Sequence, residues 1–373
     1  MNQRNMLVWE PLNKGHYAFF LELAVRALTQ AGWTVTVATD TDSPVNLPKN
    51  VSRISTDPQA NPSVEPFQIA HKLGIKNIFI CHLDSVLLPW KNQRFIGPDD
   101  SSVRIHGIWI QASGAIKDGL LNYLSQKSVR RSRLFVQRLK NLFDRAMLGE
   151  VFVLDERLSQ QQVTLGFPAT LLPDPWRSVP KETRAESRTL LGLPQDRIIF
   201  LHIGSDEKRK GLLDVLKLIS KFPSSGPFLV RAGELKPRNT GKRVKLIQRL
   251  TRENRLICND RDLSEEAFDL YLRAADYVLL PYHSHDDSSG ILSRAIGAGT
   301  PVIASDFGLI GKRVKALSLG LLYRNNNMRD LRRAMSTAWQ TPASQFPVDH
   351  AADTFSPKRF IGLIRAHFEG LEA

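Results

Sequence analysis

Short apolar runs alternate with helix-patterned stretches along nearly the whole chain, and they do so in two successive series. In the first, Met6–Trp9 precedes Tyr17–Gln30, where Phe20, Leu23, Ala24, Ala27 and Leu28 fall on one helical face. Gly32 stops that helix, and Trp33–Ala38 follows with β-branched alternation. Ile75–Cys81, Val103–Ile110 and Val151–Leu154 are the next strand candidates. The second series runs Ile198–Ile203, Phe228–Ala232, Leu256–Cys258, Asp276–Leu280 and Pro301–Ala304. Strands separated by helices pair through crossovers rather than hairpins, so each series predicts a doubly wound parallel sheet. The expected fold class is α/β with two such domains.

The join between them falls where Pro173, Pro175 and Pro180 disfavour helix and stiffen the chain. We therefore expect domains at 1–175 and 176–350, and a tail, 351–373, whose helix (Pro357–Glu369) packs back towards the first domain. A chain of 373 residues with 42% hydrophobic residues can bury cores of this size.

The formal net charge of +14 points to anionic partners: nucleic acid, an acidic membrane surface or a phosphorylated small molecule. Cys81 and Cys258, the only cysteines, give no disulfide framework and fit a reducing compartment. No apolar run approaches the ~18–20 residues of a membrane span. No charged, apolar and small-residue segments occur in the order of a secretory leader. The expected location is cytoplasmic, with peripheral contact at the inner face of a membrane as an option. That option rests on residues 127–145, where Lys127, Arg130, Arg131, Arg133, Arg138, Lys140 and Arg145 surround Leu134, Phe135, Leu139, Leu142 and Phe143. The pattern fits a basic amphipathic helix on anionic lipid, or equally a solvated helix with its apolar stripe on the core. Nucleic acid is disfavoured because aromatic platforms and recognised binding motifs are missing.

Two glycine-bearing loops carry the chemistry. Gly204-Ser205-Asp-Glu-Lys208-Arg209-Lys210-Gly211 lies between a strand pattern and the helix pattern that starts at Leu212. Asp286-Asp-Ser288-Ser289-Gly290 follows a strand and precedes a helix that begins at Ile291 and ends at Gly299-Thr-Pro301. Strand-to-helix turns present unpaired N–H groups and the positive end of a helix dipole. With cations on the first, the pair suggests a diphosphate site. A charged surface turn and an ordinary serine N-cap are the plainer readings of each loop alone.

Taken together, these residues resemble the group 1 (family 4) retaining glycosyltransferases with the GT-B fold. Gly204 and Lys210-Gly211 match the first signature of that family, with Ser205 at its usual arginine position. Asp286 and Arg294 stand at the two acid positions of the second, with Ser288-Ser-Gly290 between them, and Gly299-Thr-Pro-Val-Ile-Ala304-Ser305-Asp306 and Gly308 continue the match. The match covers about Arg197 to Gly320; the first half is similar in pattern only. The resemblance implies two Rossmann-like domains facing across a cleft. It implies a hexosyltransferase-type enzyme of polysaccharide synthesis that moves a sugar from a nucleoside-diphosphate donor to a glycan or lipid-linked acceptor, with retention. Lys210 would stabilise the departing diphosphate and Asp286 would accept hydrogen bonds from sugar hydroxyls. Gly204, Ser205, Lys208, Arg209, Gly211, Ser288, Ser289, Gly290, Ile291 and Arg294 would bind the donor. No metal or other cofactor is implied, because protein cations and helix dipoles neutralise the charge.

Three departures distinguish this sequence. Ser205 replaces the usual arginine, whose charge Arg209 or Lys208 is placed to supply. The first acid is shortened to Asp286. Arg294 replaces the acid that holds the donor ribose, and arginine cannot accept a hydrogen bond from a hydroxyl. A catalytically silent nucleotide- or glycan-binding relative is therefore an alternative, and a sugar-nucleotide epimerase is a third.

Among histidines, His106 is a candidate to approach the sugar from a strand end. His16, beside Gly15, is a candidate to face acceptor or diphosphate. His82 and Asp84 follow another strand and are candidates to line a cleft. His283-Ser-His285-Asp-Asp287 has a metal-like spacing, but the neighbouring residue that would complete it is Ser288, so no metal site is expected.

Overall fold

The computed structural model describes residues 4–12, 15–40, 45–88, 102–110, 126–159, 166–205, 207–235 and 241–371, and the side chains of these except 126–132. The chain divides into two compact units, one of 1–173 with 357–373 and one of 174–356.

The first unit is a seven-stranded parallel sheet in the order β3-β2-β1-β4-β5-β6-β7. Its strands are β1 (Asn5–Trp9), β2 (Thr34–Thr39), β3 (Ser52–Ser55), β4 (Asn77–Ile80), β5 (Arg104–Trp109), β6 (Leu148–Val153) and β7 (Ala169–Leu171). Its helices are α1 (His16–Gln30), α2 (Glu65–Leu73), α3 (Leu83–Leu87), α4 (Gln126–Asp144) and α5 (Glu156–Ser159). Both faces of the sheet are buried, as crossovers require. On β1, Leu7 and Trp9 join one apolar cluster while Met6 and Val8 join another. In α4, Phe135, Leu139 and Leu142 enter the core, and Leu134 and Phe143 remain exposed beside Arg133 and Arg145. The side chains of Lys127, Arg130 and Arg131 lie outside the described residues.

The second unit has six parallel strands in the order β10-β9-β8-β11-β12-β13. They are β8 (Ile199–Ile203), β9 (Phe228–Ala232), β10 (Leu256–Asn259), β11 (Tyr277–Leu280), β12 (Val302–Ser305) and β13 (Gly320–Tyr323). The helices are α6 (Arg184–Leu190), α7 (Leu212–Ile219), α8 (Gly241–Arg252), α9 (Glu265–Ala274), α10 (Gly290–Gly297), α11 (Gly308–Ala316) and α12 (Met328–Gln340). Here too the strands alternate between faces: Ile199, Leu201 and Ile203 enter one cluster and Phe200 the other.

The last helix, α13 (Pro357–Glu369), returns to the first unit. Phe360, Ile364 and Phe368 are fully buried against Met6, Val8, Phe20 and Leu28, and the Trp33 indole donates to the Phe368 carbonyl at 3.1 Å. Burying three phenylalanine- or isoleucine-sized side chains contributes about 5–9 kcal/mol by transfer free energy.

Each sheet reverses its strand order once, between β1 and β4 in the first unit and between β8 and β11 in the second. In open parallel sheets a crevice opens at the carboxyl ends of the strands at such a reversal, and ligands bind there. Among the described residues, no helix is long and apolar enough to cross a membrane.

Candidate functional site

The two glycine loops leave the two strands that flank the reversal in the second unit. Gly204–Gly211 follows β8, and the segment from Pro281 to Ser289 follows β11. Sequence-distant loops are thereby brought side by side. The His283 amide donates to the Arg209 carbonyl at 2.9 Å. Gly211 sits at φ +68°, where a Cβ would meet the Pro281 carbonyl oxygen at 2.3 Å, so both the backbone angle and the close approach require glycine. Gly204, at φ +99°, lies between the loops: a Cβ there would be 3.1 Å from Ile291 Cδ1 and 3.3 Å from Lys210 Nζ.

Lys208–Lys210 form one 3-10 turn that carries Lys210 inward and leaves Lys208 exposed. Lys210 Nζ donates to Ser205 Oγ at 2.9 Å and lies 3.7 Å from the Glu207 carboxylate. Burial pushes its pKa down to about 8, with Arg209 and Arg231 adding to the shift and Glu207 opposing it. Arg209 Nε donates to Glu207 at 2.7 Å, and its guanidinium is 5.6 Å from the Tyr282 ring. Arg209 Nη1 is buried, with no hydrogen-bond partner among the described residues.

Sequence reading missed the deepest cation here. Arg231, on β9, is 0% exposed and donates through Nη2 to the carbonyls of Gly204 at 2.8 Å and Glu234 at 3.2 Å. It pins the first loop from beneath. Its only signal was an arginine inside the apolar run Phe228–Ala232. His202, on β8, donates from Nε2 to the Lys210 carbonyl at 2.9 Å, and burial holds its pKa down to about 3. The result is a cluster in which Arg209 and Arg231 both lie close enough to act on the charge of Lys210, with Glu207 opposing them. Such a cluster favours an anion.

In the second loop, Asp286 is 3% exposed, and its carbonyl accepts the Leu309 amide at the start of α11. Gly308, at φ +65°, admits Asp286 closely: a Cβ there would meet Asp286 Oδ1 at 2.9 Å. The Ser288 hydroxyl donates to Asp174 at 2.7 Å and accepts from Arg313 at 2.6 Å, two further residues that the sequence did not single out. With its carbonyl taken by His285, what Ser288 retains for a ligand is its backbone amide. Ser289 caps α10, accepting the Leu292 amide at 3.4 Å. Gly290 and Ile291 supply the first amides of that helix, and no acceptor takes them among the described residues. His283 and His285 are taken up separately: His283 lies 2.7 Å from Asn326 Oδ1 and 3.1 Å from Asp214, and His285 Nε2 donates to the Ser288 carbonyl at 3.0 Å.

Two expected site residues are placed elsewhere. Arg294 leaves the loop side of α10 for α9, where it pairs with Glu265 at 2.7 Å and with Asp269, and lies 3.9 Å from the Phe268 ring centre. It ties the two helices, and its guanidinium is taken up by those carboxylates. His106 is the third of six residues in β5, not at its carboxyl end. It is 1% exposed, accepts the Glu150 amide on Nδ1 at 3.0 Å and packs against Phe368. The face it occupies is covered by α13, so it does not approach a ligand at the carboxyl edge.

The reversal in the first unit carries its own polar group. Glu10 follows β1, fully buried, its Oε1 accepting the Leu12 amide at 3.0 Å, and burial raises its pKa to about 8. His82 follows β4, 3.5 Å from Asp84, and burial lowers its pKa to about 4. The Tyr17 ring lies 5.0 Å from His82. Gly15 caps α1 at φ +59°, and His16 is exposed with its ring 3.9 Å from that of Tyr17.

Residues 183–347 match the family model described as glycosyl transferases group 1, a match that lies inside the second unit. No curated protein matches the chain. Solved structures match it throughout. A glycosyltransferase from Rickettsia africae shares 13% identity at a TM-score of 0.70, covering 100% of each chain. HepE from Anabaena, solved with UDP and glucose, shares 13% identity at a TM-score of 0.67, covering 98% of each. Sucrose-phosphate synthase from Thermosynechococcus elongatus shares 16% at a TM-score of 0.65, covering 98% of this chain and 95% of that one. At these identities the likeness is one of fold: α/β, with two Rossmann-like parallel-sheet units of the GT-B type.

Proposed function

We propose that the chain is a glycosyltransferase that takes a sugar from a nucleoside-diphosphate donor. The observation that carries this reading is the cation cluster of Lys210, Arg209 and Arg231 beside the free first amides of α10, at the strand reversal of the second unit. The match of that unit to group 1 glycosyl transferases, and the UDP bound by the Anabaena neighbour, support it. Lys210 neutralises charge on the departing diphosphate, a role worth ~2.7–4 kcal/mol of barrier for one preorganised donor elsewhere. Asp286 meets sugar hydroxyls, and the Gly204 and Gly290 backbones allow close approach of the phosphates. Charge neutralisation by the protein makes the reaction metal-independent in this reading, and the family likeness favours a hexosyl donor, retention, and a glycan or lipid-linked acceptor. The exposed basic and apolar residues of α4 fit peripheral contact with an anionic membrane. Lys210→Ala should lower donor hydrolysis and transfer ~100–1,000-fold while the melting temperature holds. Unchanged turnover sinks the assigned role.

A second reading has its own observation. Arg294 occupies the position of a ribose-binding acid and is consumed by Glu265 and Asp269. A silent nucleotide-binding protein would bind a nucleoside diphosphate tightly and turn over no donor across a broad acceptor panel. The epimerase reading is weaker, although a structure described as a UDP-N-acetylglucosamine 2-epimerase from Listeria monocytogenes also shares the fold, at a TM-score of 0.63.

A further inference from the structure

The first unit has a cavity of about 260 Å³ at the amino ends of its strands, the edge opposite Glu10 and His82. Lys76 and Asn77, at the start of β4, and Arg104, at the start of β5, contribute its polar wall. Trp33 and Leu371 contribute the apolar side, and His106 lines it from within the fold.

His106 is the informative residue. Its Nδ1 accepts the Glu150 amide at 3.0 Å, and a neutral imidazole accepting on one nitrogen carries its proton on the other. Burial, with the neighbouring His367 and Arg104 charges, keeps the ring neutral by pushing its pKa down to about 3. Nε2–H is therefore a buried donor, and it has no hydrogen-bond partner among the described residues. Unmet buried donors are rare in native structures and call for an explanation. The ring is also held in place deliberately. Phe368 packs 4.9 Å from it, and a Cβ on Gly149 would come within 2.2 Å of its Cε1, so only glycine leaves it room.

The charge around the cavity completes the picture. Lys76 and Arg104 are exposed, and neither side chain has an acid partner among the described residues. Glu150, the acid on the adjoining strand, is directed to His367 at 3.7 Å and does not line the cavity. We propose that this cavity binds a compact oxyanion-bearing small molecule, its phosphate or carboxylate held between Lys76 and Arg104 with one oxygen accepting from His106 Nε2–H. The volume lies below the ~300–1,000 Å³ of drug-sized pockets and well above the ~30 Å³ of a water, which suits a sugar phosphate or a small organic acid. The site lies in the first unit and is independent of the loops that carry the proposed transfer reaction.

The test uses the full chain, calorimetric titration, and inorganic phosphate, glucose 6-phosphate and citrate as probes, with sodium chloride matched for ionic strength. The proposal expects at least one probe to bind with a Kd of about 1 mM or tighter. Lys76→Ala with Arg104→Ala, both surface changes, should weaken it at least about tenfold. The Lys210→Ala variant should bind it unchanged, which separates this cavity from the diphosphate loops. The imidazole Nε2 resonance of His106 should shift on binding. Phosphates binding tighter than citrate assign the phosphate source, and the reverse assigns the carboxylate. Absence of binding by all three probes up to about 10 mM, an equal response to chloride, or loss in Lys210→Ala with retention in the double variant overturns the proposal.

Discussion

Lys210 Nζ donates to Ser205 Oγ at 2.9 Å, across a loop whose ends are glycines at φ +99° and +68°. The serine does not supply the charge of the arginine it replaces; it holds the lysine that remains. Because burial sets the Lys210 pKa at about 8, its charge is conditional. Diphosphate affinity should fall as pH rises from 7 through 8 to 9, since the neutral amine no longer attracts the anion. The bound anion favours the ammonium, so the fall in the complex lies at higher pH than in the free protein. Titration calorimetry with a nucleoside diphosphate across this range checks both points; a flat profile would remove Lys210 from the phosphate contact.

Arg294 offers a sharper mutational contrast. Arg294→Glu restores the acid of the related motif but sets it against Glu265 and the buried Asp269. Breaking a largely buried pair and adding a like charge should cost about 3–5 kcal/mol in a urea melt. A neutral outcome would mean that the α9–α10 tie carries no weight.

Two glycines of the site should behave oppositely. Gly211→Ala forces a Cβ to within 2.3 Å of the Pro281 carbonyl at a positive φ, and should destabilise by about 2 kcal/mol or more. At Gly290 a Cβ meets nothing within 4 Å, so Gly290→Ala should stay within about 0.5 kcal/mol of the parent. Chemical denaturation of both variants measures this directly.

Glu10 governs a pH dependence of stability. Its folded pKa, raised by burial to about 8, exceeds the unfolded value of 4.5. The folded state therefore binds the proton more tightly, and its contribution, complete below pH 4.5, is lost as pH rises through 8. Between pH 6.5 and 8 the loss should reach about 1.6 kcal/mol. His82, His106, His202 and His285 have lowered pKa values through burial, and they act in the other direction, below pH 6.5. Glu10→Gln should flatten the slope from pH 6.5 to 8. An unchanged slope would assign it to other groups.

Much of the fold was legible because its cause is local. Buried parallel strands read as apolar runs, and Met6–Trp9 and Phe228–Ala232 fall within a residue of β1 and β9. The edge strands β3, β7 and β13 escaped notice. Three of the four residues in Ser52–Ser55 are polar and exposed, Ala169–Leu171 is only three residues long, and Gly320–Tyr323 is partly exposed at the other sheet's margin, so none carries the pattern of a buried strand. At the site, glycines and lysines announced the loops. The partners of Arg294 and His106 did not show, because they come from α9, β6 and α13, elements whose approach only the tertiary structure fixes. Arg231 was hidden for the same reason: a cation inside a strand reads as noise until the loop above it is seen.

The central claim is that the loops after β8 and β11 form one diphosphate site. Calorimetric titration of UDP, GDP and ADP into the wild type and Lys210→Ala tests it most directly. One nucleotide should bind the wild type with a Kd of about 100 µM or tighter, and Lys210→Ala, equally folded, should weaken that binding at least about tenfold. Equal affinity for both proteins, or no binding of any of the three, would contradict it.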